Sequence, residues 1–137
     1  MAFRPTRHSV LLVVLLLAMA GAAARADSLS GAWTMTKYEG PATHGSASGL
    51  LLFSGSHFSL NYTMDEGGQR WGRAHAGTYD VSGDTLTYHV GWSMEYVTGR
   101  PSVAAKPADR ETRFTLAGDT LTVKFSNGSV QTFKRAK

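Results

Sequence analysis

The stretches DVSGDTLTYHV (Asp80–Val90) and TLAGDTLTVKF (Thr115–Phe125) share the pentapeptide GDTLT and the layout around it. A binding motif used twice and a piece of architecture used twice look the same at this level, so the flanking pattern must decide. Leu86, Tyr88, Val90 and Trp92 alternate with small or polar residues after the first copy, and Leu121, Val123 and Phe125 do so after the second. Phe58, Leu60, Tyr62 and Met64 repeat the pattern upstream. A two-residue period marks strands with one wet and one dry face. Each GDTLT therefore reads as the far side of a tight hairpin. Its Gly supplies the positive φ of the turn, its Asp caps the turn locally, and Thr-Leu-Thr starts the next strand. No third copy exists, so the pair is not a solenoid repeat.

Turn signals cut the rest of the chain into about eight strands, near 31–39, 49–54, 57–64, 73–81, 84–93, 111–117, 119–126 and 129–135. Gly55-Ser56, Ser82-Gly83 and Ala117-Gly118 are short connections; GPATHGSAS (40–48), DEGGQRWG (65–72) and MEYVTGRPSVAAKPADR (94–110) are long ones. Short and long alternate, so in an up-and-down meander the tight turns gather at one end and the long loops at the other. Asn127-Gly128 adds a hairpin signal at the long-loop end. The expected fold is an all-β, eight-stranded antiparallel up-and-down closed barrel, whose interior either fills with side chains or holds one small ligand.

Ahead of this domain, Arg4 and Arg7 precede the apolar run VLLVVLLLAMA (Val10–Ala20), and Ala24-Arg25-Ala26 follows. A charged start, an apolar run of about 7–15 residues and a small-x-small site form the pattern of an export signal. The run is too short for a membrane anchor, which needs about 18–20 apolar residues. The expectation is a signal peptide over 1–26, cut after Ala26, and a secreted or periplasmic domain over 27–137 with no membrane insertion after cleavage. Without any Cys, a lipid anchor and disulfides are both excluded. Loss of Arg4, Arg7 and Arg25 leaves 11 of the 14 Lys and Arg against 10 Asp and Glu, a net charge of +1. No basic run remains to track phosphates, which argues against nucleic acid as a partner.

LSGAW (Leu29–Trp33) resembles the G-x-W opening of lipocalins and other calycins, and GTYDVSGDTLTYHV (Gly77–Val90) followed by RFTLAGDTLTV (Arg113–Val123) resembles the bacterial lipocalin-like domain family. GLLLFSGSHFSL (Gly49–Leu60) is similar to that family's earlier strand pair. The resemblance spans nearly all of the exported domain. It implies that Trp33 closes the tight end of the barrel with Lys134 or Arg135 packed across it, and that the barrel holds small, often apolar molecules. Departing from large lipocalins, the chain shows no candidate C-terminal helix.

Few residues point to chemistry. His44, His57, His75 and His89 lack the spacing of a metal site, and neither a metal nor another cofactor is expected. Gly45-Ser46-Ala47-Ser48-Gly49 carries Ala where a nucleophile elbow needs Ser. Asp65, Glu66 and Glu95 read as solvated loop charges near the open mouth. No catalytic residue is assigned, and binding is favoured over catalysis. The candidate ligand-binding residues are Tyr62, Trp71, Tyr88, Trp92, Tyr96 and Arg100: Tyr62, Tyr88 and Trp92 by their place on the apolar strand faces, Trp71 and Tyr96 on the long loops, with Arg70, Arg73 and Arg100 beside them. Core filling competes with binding for Tyr62, Tyr88 and Trp92.

The leading expectation is a barrel that binds a small apolar or amphipathic molecule at its long-loop end. The alternative is a periplasmic enzyme inhibitor or protein-interaction module that acts through a mobile 94–110 loop. A third reading uses His89, Tyr88 and Arg113 as acid–base groups of an isomerase or lyase. Alternation, however, turns His89 outward, where His and Arg more often bond between strands.

Overall fold

The computed structural model describes residues 25–40 and 46–137. The apolar leader and His44 lie outside the described residues. The chain forms β1 (Gly31–Glu39), β2 (Ser46–Ser54), β3 (His57–Glu66), β4 (Gln69–Ser82), β5 (Thr85–Val97), β6 (Val103–Ala104), β7 (Ala108–Ala117), β8 (Thr120–Phe125) and β9 (Val130–Arg135). All pairings are antiparallel, and β4 pairs with both β3 and β5 so that the sheet closes on itself. β6 pairs only with Met94 and Glu95 of β5. Without it, the remaining strands are a closed eight-stranded up-and-down barrel. Closure leaves no raw sheet edge, which suits a chain with no disulfide to staple it.

The two GDTLT segments are turns, as the alternation requires. Gly83 and Gly118 take φ of 61° and 57°, a region costly for a side chain with a Cβ. Their Asp residues, however, do not cap the turns locally. Each backbone carbonyl instead accepts an N–H from the neighbouring strand: Asp84 from Phe114 at 2.8 Å and Asp119 from Arg135 at 2.9 Å. Ser56, in the equivalent place of the β2–β3 turn, accepts from Tyr79 at 2.9 Å. The carboxylates reach the same neighbours, with Asp84 paired to Arg113 and Asp119 to Arg135. Each of these three turns is thus stitched to the neighbouring strand.

At this end Trp33 is fully buried and its indole N–H donates to the Leu29 carbonyl at 2.7 Å. The Arg135 guanidinium lies 4.1 Å above the Trp33 ring and donates to the carbonyls of Ser30 (2.9 Å) and Ser28 (2.8 Å). A helical turn over residues 25–29 carries Leu29, fully buried, into the core. Above it the inward rows fill the barrel with Leu51, Leu86, Leu121, Val123 and Phe133, all fully buried, and with the ring pairs Phe53–Tyr79 (4.6 Å) and Phe58–Tyr88 (4.7 Å).

The long-loop end differs from expectation. β3 and β4 run on to Glu66 and Gln69, joined only by Gly67-Gly68, so DEGGQRWG is a tight hairpin tip rather than a loop. β5 likewise continues to Val97. Trp71 and Tyr96 therefore stand on strands. The 98–107 segment is tied down by Ala105 N–H donating to Ser93 O at 3.0 Å and Thr98 N–H to Arg70 O at 2.8 Å.

Arg135→Ala should destabilise the protein by about 2–3 kcal/mol, because it removes one cation–π contact and two charge-assisted hydrogen bonds. Arg135→Lys, which keeps the charge but not the fork, should recover only part of that loss in urea unfolding. Equal stability of all three proteins would show that the closed end does not depend on Arg135.

Candidate functional site

The site begins with a register slip. β4 and β5 pair as Gly77↔Val90 and then Ala76↔Trp92, which leaves Gly91 without an opposite number. This is a β-bulge, and it reverses which face of β5 points inward. Below it Leu86, Tyr88 and Val90 face the core; above it Ser93 does, while Trp92 is 51% exposed. The expectation that Trp92 lies on the inner face is thus corrected by one extra residue. Gly77 makes the bulge sterically feasible: a Cβ there would meet the His89 carbonyl oxygen at 1.9 Å.

Inside, the reversed parity builds a ladder of cross-strand pairs down β4 and β5. Trp71 stands opposite Val97, Arg73 opposite Glu95, and His75 opposite Ser93. The second rung is an ion pair of 2.9 Å, half-exposed at the mouth. Glu95, expected as a solvated loop charge, is therefore a strand residue held by Arg73. The third rung is a buried hydrogen bond of 2.8 Å between Ser93 Oγ and His75 Nδ1. Deeper still, the buried Tyr88 hydroxyl has no partner among the described residues.

The upper rung joins an aromatic cluster. Tyr38 stacks on Tyr62 at 5.9 Å, and Trp71 meets both edge-on at 6.4 and 6.0 Å. Arg73 lies 5.6 Å from the Trp71 ring centre, and Trp71 Nε1 donates to Glu66 at 3.3 Å. These side chains fill the upper barrel. Below them, the space bounded by His75, Tyr88, Val90, Arg110 and Phe125 is only about 20 Å³, roughly the room one water needs. A cleft of about 320 Å³ opens instead at the mouth, with Trp71, Arg73, Glu95, Tyr96, Val97 and Arg100 among its lining residues.

Electrostatics separate the rungs. Burial, reinforced by Arg110 and Arg73, pushes the His75 imidazole down to about 4, so it is neutral at neutral pH. Burial pushes the Tyr62 phenol up to about 12, against the opposing pull of Arg73. A neutral imidazole and a neutral phenol can orient a polar ligand group by hydrogen bonds. Among the charged residues lining the cleft, Arg73 is paired with Glu95, which leaves the Arg100 guanidinium in excess.

Of the six residues expected to bind ligand, Trp71, Tyr96 and Arg100 line the mouth cleft, and Tyr62 is buried against Trp71. Tyr88 lies in the deep core, and Trp92 points out from the opposite face of β5. Trp33 and Arg135 meet at the closed end. His89 faces outward between Asp80 (2.7 Å) and Asp109 (3.0 Å), and Arg113 pairs with Asp84. His89 and Arg113 therefore form surface clasps, outside the reach of any interior acid–base pair. Sequence reasoning missed Tyr38, His75 and Ser93. The one signal for them was a pair of glycines inside strands, Gly77 and Gly91, which mark a bulge.

Two outcomes follow from this geometry. Gly77→Ala should cost about 1–3 kcal/mol by forcing backbone apart. Gly91→Ala, whose Cβ meets nothing closer than 3.9 Å, should stay within about 0.5 kcal/mol in urea titrations. The pH dependence should split by residue. His75 is lowered from 6.5 to about 4, so its contribution is present above the unfolded value and is lost, by on the order of 3 kcal/mol, as pH falls between those limits. His89 is raised, first by Asp109 and then by Asp80, so its contribution is present below its unfolded value and is lost as pH rises through its folded one. Urea midpoints against pH should show a shallower acid loss in His75→Gln and not in His89→Gln. The chain matches no protein-family model, no curated protein and no solved structure.

Proposed function

We propose that the protein is an exported lipocalin-like barrel that binds a small amphipathic molecule at its mouth. The supporting observation is the 320 Å³ cleft, in which the Trp71 ring and Val97 stand beside the Arg73–Glu95 pair and Arg100. An apolar wall with a few convergent polar groups is the usual composition of a small-ligand site, and the volume falls at the lower end of the usual range. The interior is too full to take the ligand whole, so the apolar part rests on Trp71. Arg100, which has no carboxylate partner among the described residues, favours an acidic group at the other end. Export rests on the Arg4–Ala26 leader pattern.

One observation favours the second reading, an inhibitor or interaction module: a filled barrel has no need of a cargo. Its expected element, the 94–110 loop, is instead strand and tethered segment, so the reading would have to work through another surface.

Anilinonaphthalene sulfonate, an aromatic anion, is a direct probe. One equivalent should bind with enhanced fluorescence, and Trp71→Ala and Arg100→Ala should each weaken binding about tenfold, whereas Trp92→Ala should not. Absence of binding by the folded protein, or loss only in Trp92→Ala, would remove the mouth as the site. Native mass spectrometry of protein recovered from its exporting cell would then name the natural compound by its retained mass.

A further inference from the structure

The bulge that turns Ser93 and Glu95 inward also turns Trp92, Met94 and Tyr96 outward, onto the face that β1–β5 share. Three rows cross this face. Ala32, Leu52, Ser59, Ala76 and Trp92 form the first; Thr34, Leu50, Asn61, Ala74 and Met94 form the second; Ser48, Thr63, Gly72 and Tyr96 form the third. No charged side chain stands on them. The next row towards the mouth holds the Asp65–Arg70 ion pair, and the next row towards the closed end runs through Ser54, His57, Thr78 and His89. Leu50, Leu52, Trp92 and Tyr96 are 40–51% exposed. A cleft of about 360 Å³ lies in the face, with Gly72, Ala74, Asn61, Thr63 and Tyr96 among its lining residues; Arg73 also lines it, and its guanidinium is paired with Glu95.

We infer that this face binds a neutral oligosaccharide. The chemistry of the face selects the ligand. Trp92 and Tyr96 share one side of one strand, about 13 Å apart at strand rise, which lets separate sugar rings of one chain lie against each. A pyranose presents a face of C–H bonds, and an aromatic ring presents the electron-rich face that receives them. Sugar hydroxyls both donate and accept, as do the Asn61 amide and the hydroxyls of Ser48, Ser59 and Thr63. Asn61 Nδ2 spends one bond on Ser59 Oγ at 3.2 Å, and Ser48 and Thr63 meet at only 3.5 Å, so most of this capacity faces solvent. The small residues Gly72 and Ala74 let a ring settle near the strand backbone.

Charge and area disfavour other occupants. An anionic lipid surface or a charged glycan would find no complementary group on the rows. Five strands by three rows cover roughly 400 Å², about half of the ~800 Å² per partner that a stable protein interface needs.

The test is a titration of the isotopically labelled protein with chitohexaose, cellohexaose and maltohexaose, read as amide chemical shifts. The expected result is saturable shifts on β2–β5 outer-row residues with at least one of the three. Trp92→Ala and Tyr96→Ala should each weaken that binding tenfold or more, and Thr87→Ala, on β5 before the bulge, should leave it unchanged. The wild-type shift map carries the test even if a variant fails to fold. No saturable shift with any of the three sugars overturns the inference, as do shifts confined to the mouth. A dimer in sedimentation that Trp92→Ala dissociates would overturn it too, because the face would then be a self-interface.

Discussion

A single steric constraint organises the upper half of this barrel: the His89 carbonyl presses so close to Gly77 that only a residue without a Cβ fits. That contact accompanies the bulge at Gly91, and the bulge decides which side chains of β5 face in. With regular pairing, Trp92 and Met94 would enter the barrel and Ser93 and Glu95 would face water. The observed arrangement replaces two bulky apolar groups with a hydroxyl and a carboxylate. His75 and Arg73, fixed opposite them on β4, then find partners. A buried imidazole and a half-buried guanidinium would otherwise be left uncompensated. The mouth chemistry and the uncharged outer face are two sides of the same slip.

The two ends of the barrel are built on different principles. At the closed end, three tight turns each pass a carbonyl to the neighbouring strand, and Arg135 ties the last strand to Trp33 and to the residues ahead of β1. Apolar burial and charge-assisted bonds act together there. At the mouth, strands β3, β4 and β5 extend beyond the rest and carry polar rungs among aromatic rings. A rigid base with a more polar, less enclosed rim suits a barrel that keeps its core filled and presents its chemistry at the edge.

Much of this was legible in the chain itself. Alternation gave the strand faces up to Val90, and the Gly-bearing turns gave their number and order, because both signals are local. Strand ends at the mouth were not legible. DEGGQRWG has the composition of a loop, yet Gly67-Gly68 alone makes the turn and the flanking charges Asp65 and Arg70 pair across it. Trp71 moved from loop to strand for that reason. The facing of Trp92 and Glu95 was not legible either, because parity beyond a bulge depends on whether a partner strand leaves room for the extra residue. Gly77 makes that room from 14 positions away in sequence, and no periodicity within β5 reports it. The Asp residues of GDTLT were read as local caps; their partners, Arg113 and Arg135, lie on the next barrel strand of the meander, 29 and 16 positions further along the chain, where no local pattern reports them.

The central claim is the inversion of β5 at Gly91, and nuclear Overhauser contacts to the His75 ring protons test it most directly. The account predicts contacts from His75 to the Ser93 β-protons, with the Trp92 indole showing none to His75 and contacting instead the side chain of Ala76. Contacts between the Trp92 indole and His75 or Tyr62 would show that β5 runs without the bulge. The polar ladder, the mouth site and the outer face would then all be wrongly assigned.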